Sequence, residues 1–396
     1  MRIDRVLQRN TTKARSLTIG RNTLANLPLL AQYPNAAEIE YDGAAVVVGA
    51  GPSLPPMLDR LRDLQESGVL VVTVNTALPA LHAAGIVPNV LVSIEPVDVT
   101  THVRDRLEGI HLIVLDLSSN PEIWSATMGF GRRSILVSNS ANNMRMCAEL
   151  DIDPIEHGGS AMECAVSMVL RWGARTVGLV GVDLSFPGMQ AYAPDAGWTL
   201  ENAREVDDQL VWVQPQDRID AHERSGVEPP QSAQGVHYID HTDGRVPTNS
   251  GYLSQVRGLE GLARAYPRRN LVQTRGAKLA GWGESPELEP DRDDIAAEGK
   301  LWCVGAKAAC EHERLRMWVA LERRRCEAMR QLCDEIRSPA NGLAHLALVE
   351  SADLAETLAA GRCLDAHDIQ ADRDAKIEGV YAALRDAASE VLSATS

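Results

Sequence analysis

Along the first 290 or so residues, short runs of apolar, often β-branched residues alternate with amphipathic stretches. Ala44–Gly49, Val69–Val74, Val90–Ile94, His111–Asp116, Ser134–Val137 and Thr176–Gly181 show little polar alternation, so each reads as a strand buried on both faces. Pro55–Ser67, Ala77–Ala84, Ser160–Trp172 and Gly251–Tyr266 read as helices, and Asn270–Gln273 as a further short strand. Strand–helix alternation of this kind predicts an α/β fold, a Rossmann-like, mostly parallel sheet with helices on both faces. In such sheets ligands sit beyond the carboxyl ends of the strands. Asn75, Ser93-Ile94-Glu95-Pro96, Ser138-Asn139 and Asp183 all fall at those ends.

The pattern divides the chain into regions. Residues 1–43 form a lead-in with a short helix near Thr23–Tyr33, and 44–285 form the Rossmann-like domain. Inside it, 198–248 is a polar excursion with little periodicity, read as helical around Leu200–Val213 and placed to cover a site as a lid. An acidic linker follows at 286–300, and 301–396 reads as an α-helical C-terminal region. Its long helix, Ala306–Arg337, carries apolar residues at Leu315, Val319, Cys326, Met329, Cys333 and Ile336, interrupted by Glu322. Arg323-Arg324-Arg325 reads as a solvated helix surface, and two more helices are expected after Pro339. The apolar stripe fits either docking on its own domain or a homo-oligomer contact.

The sharpest local signal is the break after the first buried strand, Gly49-Ala50-Gly51-Pro52-Ser53. A glycine loop at a strand end brings backbone N–H groups close to a guest, and phosphate suits those amides and the following helix N-terminus. Ser53 is placed to cap the next helix and to offer a hydroxyl. Leu54 stands where a dinucleotide fingerprint has its third glycine, and no G-x-x-x-x-G-K-S/T loop occurs, so a P-loop NTPase is excluded. Gly158-Gly159-Ser160 opens a helix and forms a second candidate anion site. Asp183 and Glu95 are the carboxylates for hydroxyl binding, base chemistry or a cation. The imidazoles available for proton transfer are His157, His222, His237 and His241; the last two have an H-x-x-x-H spacing on strand-like sequence, which speaks against a metal site.

Charge and cysteines narrow the class. A net charge of −15 argues against non-specific binding to nucleic acid or anionic lipid. No apolar run is long enough for a membrane span and the N-terminus lacks an h-region, so a cytoplasmic location is expected. Seven cysteines without a C-x-x-C read as buried thiols, with Cys303/Cys310 and Cys326/Cys333 at helical core spacing.

The series VVVGAGPSL, PNVLVSIEP, GGSAMECAVSMVLRWGARTVGLVGVDLSF, HTDGRVPTNSGYLSQVRGLEGL and NLVQTRGAKLAG resembles one family. It is the domain shared by motility-associated factor (Maf) glycosyltransferases and MptE-type 6-hydroxymethylpterin diphosphokinases. The resemblance implies a Rossmann-like core and, in the Maf branch, transfer of a sialic-acid-like nonulosonic sugar from a CMP donor to flagellin or a surface glycan. By that likeness Gly49, Gly51, Pro52 and Ser53 hold the nucleotide with help from Gly158, Gly159 and Ser160, while Asn75, Glu95, Asn139, Asp183 and Tyr192 line the donor pocket. Ser138 belongs to the same nucleotide-binding edge, and Asp183, Glu95 and Tyr192 are the catalytic candidates. No metal ligand set is assigned in the glycosyltransferase reading. The diphosphokinase alternative calls for Mg²⁺, with Asp183 and Glu95 as ligands. A third possibility is a binding protein that keeps the fold without turnover. Glu95 and Val182 depart from residues common at these positions in the family.

Overall fold

The computed structural model describes residues 18–138, 143–198, 203–226, 233–288, 302–303 and 308–335, together with isolated positions 386, 389 and 393. Its centre is an eight-stranded sheet. In chain order its strands are β1 (Ala44–Val48), β2 (Leu70–Val74), β3 (Val90–Ser93), β4 (Leu112–Asp116), β5 (Arg132–Leu136), β6 (Thr176–Val180), β7 (Asn270–Gln273) and β8 (Gly283–Glu284). The spatial order is β8-β7-β6-β1-β2-β3-β4-β5, and every pairing is parallel. The α/β, Rossmann-like class read from the sequence is what the chain adopts. β1, β2, β3, β4 and β6 are buried at every position, which is why their sequences lack polar alternation.

Among the helices are α1 (Leu58–Glu66), α2 (Leu78–Ala83), α3 (Met144–Leu150), α4 (Ala161–Trp172), α5 (Gln216–Arg224), α6 (Ser250–Ala265) and α7 (His312–Glu335), with further short ones at Thr100–Val103 and Pro121–Ala126. α4 is the central one, packing on β1, β2 and β3 with Cys164 through Leu170 buried. Ser160 caps its start by accepting the Glu163 N–H, and Gly173, at φ 110°, ends it in the left-handed conformation that favours glycine.

From β1 the chain moves outward through β2 to β5, then returns to the opposite side of β1 to make β6, β7 and β8. The connections leaving β1 and β6 therefore run in opposite directions. Their carboxyl ends form the topological switch point, where this architecture opens a crevice.

Two regions differ from the sequence reading. The span expected to be helical around Leu200–Val213 holds a hairpin, Arg204–Val206 against Gln209–Val211, extended by Ala233–Gly235. Asp207 and Asp208 make its two-residue turn with φ of 49° and 59°, the positive values that a tight hairpin turn requires. The helix of the excursion comes later, as α5, and a second hairpin pairs His237–His241 with Gly244–Thr248.

In the C-terminal region, Trp302–Cys303 pairs antiparallel with Ile39–Glu40, and α7 begins at His312 instead of Ala306. Cys303 and Cys310 therefore do not share a helix. Leu315, Trp318 and Cys326 of α7 join the core cluster with Leu30, Met146, Cys147 and Leu150, so the stripe docks on its own chain. Glu322 and Arg325 are buried in that contact, not solvated. Arg325 pairs bidentately with Glu149 at 2.9 and 2.7 Å and approaches Glu322 at 3.5 Å. Cys147, Cys164, Cys310 and Cys326 are buried free thiols. The side chains of Met329 and Cys333, Ile336, the helices expected after Pro339 and most of the 286–300 linker lie outside the described residues.

Candidate functional site

At the switch point the loops after β1 and β6 are zipped together. Gly49 N–H donates to Val180 O and Gly51 N–H to Gly181 O, each at 2.8 Å. Ser53 donates both its N–H (3.0 Å) and its hydroxyl (2.9 Å) to Asp183 Oδ2. A Cβ on Gly51 would lie 2.1 Å from that same oxygen, so only glycine lets the loop close over the carboxylate. The loop expected to cradle a phosphate thus already holds an anion, the side chain of Asp183. Ser53 does not cap the following helix. Pro55–Met57 is a 3₁₀ turn with Leu54 at the N-cap and no side-chain cap.

The other oxygen of Asp183 faces the excursion. His241, at the end of its strand, places Nε2 3.5 Å from Asp183 Oδ1, with both side chains buried. Asp243 N–H donates to His241 Nδ1 at 3.0 Å, which puts the proton of the neutral ring on Nε2, facing the carboxylate. Among the described residues Nε2 has no hydrogen-bond partner. Tyr252, from α6, interacts with Tyr192, Arg218 and Asp183, and burial first, then Tyr192, raises its phenol well above the ordinary range. Asp183, His241, Tyr192 and Tyr252 therefore belong to one cluster.

The second glycine turn follows the same logic. Gly158 N–H donates to Glu163 Oε1 at 2.8 Å, and a Cβ on Gly158 or on Gly258 would collide with that carboxylate. Glu163 reaches back past the N-cap to the Gly158 N–H, while Ser160 caps the helix by accepting the Glu163 N–H. Burial raises the Glu163 carboxyl, opposed by the Gly158 bond. Both turns read as anion sites are thus filled by internal carboxylates.

A third group lies at the ends of β4 and β5. Ser138 donates to Asp116, which also accepts from the Ser118 N–H at 2.7 Å and from the Ser118 hydroxyl. His157 Nε2 meets Ser138 Oγ at 3.0 Å, and its Nδ1 accepts from Gly159 N–H at 3.1 Å. Burial lowers His157, with Asp116 pulling the other way. Asp116 is absent from the sequence-derived candidates, although it ends a buried strand much as Asp183 follows one. Asn139 lies outside the described residues.

Asn75 follows β2, and its side-chain amide meets His102 Nδ1 at 3.0 Å. His102 was not singled out in the sequence, yet its ring is buried edge-on against Trp198, with centroids 4.4 Å apart. The start of the excursion is fastened over it by Gly197 N–H donating to Thr76 O at 2.7 Å. His222, on α5, also faces Trp198, while His237 is exposed on its strand.

Glu95 follows β3, and two strands, β1 and β2, separate β3 from β6. Strand spacing alone puts Glu95 and Asp183 on the order of 14 Å apart. Asp183 Oδ2 is moreover fully engaged by Ser53. The pair does not fit a shared Mg²⁺. Among the described residues no group of three or more His, Cys, Asp or Glu side chains is arranged to hold a metal.

Residues 21–188 match a family model, 6-hydroxymethylpterin diphosphokinase MptE-like. The resemblance read from the motifs holds. The matched span carries Gly49–Ser53, Asn75, Glu95, Ser138, Gly158–Ser160 and Asp183, and stops short of Tyr192 and the excursion. Among solved structures, the chain is similar to the MAf glycosyltransferase from Magnetospirillum magneticum AMB-1, with a TM-score of 0.58 and 13% identity. That match covers 95% of this chain and 59% of the glycosyltransferase, and at such identity it speaks for the fold alone. No curated protein matches the sequence. Among the described residues no helix is long and apolar enough to cross a membrane.

Proposed function

We propose that this chain is a nucleotide-dependent transferase that moves a sugar from a nucleotide-activated donor, a CMP-linked nonulosonic-acid type, to a hydroxyl of a flagellin-like protein or a glycan. The observation that carries the reading is Asp183 at the β1/β6 switch point, with Oδ2 fixed by Ser53 and Oδ1 facing His241 of the covering excursion. A carboxylate held this way has one oxygen committed to position and one left for chemistry.

In the reaction the bond from the anomeric carbon to the donor phosphate breaks as the acceptor oxygen attacks. Asp183 Oδ1 takes the acceptor's proton, and His241 Nε2–H stabilises the carboxylate beforehand. Tyr252, kept protonated by burial, and its partner Tyr192 supply hydroxyl hydrogen bonds to the departing phosphate. The buried edge and the excursion exclude water, which protects the donor from hydrolysis.

The family match favours a second reading, diphosphate transfer from ATP to a pterin hydroxymethyl group. Mg²⁺ would be expected there, and the separation of Glu95 from Asp183 counts against the ligand pair it would use. One experiment separates the two: CMP release from CMP-N-acetylneuraminate, beside AMP formation from Mg-ATP and 6-hydroxymethylpterin. Metal-independent CMP release that falls about 100-fold or more in Asp183→Asn is the expected result. AMP formation with no CMP release would overturn it.

A further inference from the structure

We propose that Arg218 is the anion-binding residue of the crevice, the cation that takes a phosphate or carboxylate group of the donor. This rests on the nucleotide reading above and names the charged group that the covering excursion supplies to it. Transfer from a CMP-linked nonulosonic acid brings two anions into the crevice, the donor phosphate and the sugar carboxylate. Asp183, His241, Tyr192 and Tyr252 bring no permanent cation to meet them.

Arg218 lies on α5, the helix of the excursion. Its guanidinium carbon stands over the Trp198 ring, 5.4 Å from the centroid, and Trp198 packs in turn on His102 beside the β2 end. The same charge acts on His102 and on Tyr252, whose phenol also senses Asp183. Arg218 therefore lies between the β2-end cluster and the Asp183 cluster.

Buried N–H donors are normally satisfied. The Nε–H of this half-buried arginine is shielded from solvent and has no partner, and among the described residues no carboxylate pairs with the guanidinium. Neighbouring carboxylates are engaged elsewhere. Asp217 accepts the Arg218 backbone N–H at 2.9 Å, Asp220 accepts from Gln216 Nε2 at 2.7 Å, and Asp98, near His102, takes Thr100 and Arg224. In a chain of net charge −15, an arginine without a counter-ion calls for an explanation. Its planar fork of N–H donors fits a phosphate or carboxylate through two parallel hydrogen bonds, with the Trp198 ring against one face. An anion seated there supplies the partner that Nε–H lacks.

The test measures binding of four probes to the full chain by calorimetry: CMP, cytidine (the nucleoside without phosphate), N-acetylneuraminate (a carboxylate without phosphate) and inorganic pyrophosphate. Arg218→Met keeps the aliphatic stem and removes the charge. It should weaken CMP by roughly 10- to 100-fold and leave cytidine unchanged, and Arg218→Lys should recover part of the loss. Loss of N-acetylneuraminate affinity in Arg218→Met, with CMP unchanged, makes the sugar carboxylate the anion held and equally supports the inference. Pyrophosphate binding that needs Arg218, with no CMP binding, supports the inference and overturns the sugar-transfer reading. Should Arg218→Met fail to fold, judged by its melting temperature, Arg218→Gln carries the same comparison. Equal loss of CMP and cytidine affinity, or anionic probes that all bind indifferently to the substitution, overturns the inference and leaves the sugar-transfer reading standing. Binding of none of the probes overturns both.

Discussion

The tightest contact at the switch point is also the easiest to perturb. In Gly51→Ala the new methyl would stand 2.1 Å from Asp183 Oδ2 and 2.8 Å from Gly181 O. Neither neighbour is the tip of a flexible side chain, because Oδ2 is held by the Ser53 N–H and hydroxyl. The carboxylate must swing away or the loop must lift, and either movement breaks those two bonds. Hydrogen bonds to a charged group contribute about 1.5–3 kcal/mol each, so losing both sets a ceiling of about 6 kcal/mol, and partial relaxation brings the expected loss to about 3 kcal/mol. Urea unfolding followed by tryptophan fluorescence measures it, with an unchanged slope against denaturant. The decisive step is to repeat Gly51→Ala in an Asp183→Ala background, where the 2.1 Å clash no longer exists. The two substitutions should be non-additive by at least about 1.5 kcal/mol, the double variant being more stable than the sum of the singles implies. Additivity within about 0.5 kcal/mol would mean that the loop and the carboxylate do not touch, and the site description built on them would fall.

Other consequences follow from the buried groups. His102 is held down to about 4, by burial first and then by Arg106 and Arg218, against an ordinary value of 6.5. Below pH 6.5 the unfolded chain takes up a proton that the folded chain refuses, so its contribution of about 3 kcal/mol is lost as pH falls from 6.5 towards 4, and His102→Leu should flatten that part of a stability–pH profile. Glu163 has the opposite sign: burial raises its carboxyl, so its contribution is full at low pH and is lost as pH rises through the raised value. Glu163→Gln should accordingly raise the melting temperature at pH 7.5 and have little effect at pH 4. Arg325→Ala, which removes the bidentate partner of Glu149 and leaves Arg145 beside Glu149 and Glu322, should cost about 2 kcal/mol and increase protease cleavage within 312–335.

Much of the fold is legible in the sequence because the central strands are buried on both faces and so have no reason to alternate. The carboxyl edge is legible for the same reason, since the polar residue that ends an apolar run points to it: Asn75, Glu95, Ser138 and Asp183 were found that way. Asp116 ends a run equally plainly, but its importance comes from Ser138 and His157, which only the fold brings to it. His102 sits inside a short helix, Thr100–Val103, with no pattern to mark it, and its burial involves Trp198 from nearly a hundred residues away. The hairpin at 204–211 escaped because its turn is made by Asp207-Asp208, without the glycine that signals such turns. Glu322 looked like a break in the α7 stripe because charge on a helix usually means solvent; the buried Arg325 beside it reverses that inference. The glycine loop was read as the cradle of a phosphate anion, and in the fold its Ser53 holds the Asp183 carboxylate. That the anion is a side chain of the same chain could not be read from spacing, because Ser53 and Asp183 are 130 residues apart.

The central claim is that a nucleotide binds at the carboxyl edge of this sheet, beside Asp183. Thermal-shift measurements with CMP, CTP, UDP and ATP, each with and without Mg²⁺, test it most directly. A ligand that binds only the folded chain stabilises it by mass action, about 2.7 kcal/mol at a hundred times its Kd. CMP and CTP should raise the melting temperature without metal, and Asp183→Asn should diminish the shift. A preference for ATP that requires Mg²⁺ would transfer the claim to diphosphate chemistry, and no shift with any nucleotide would contradict it.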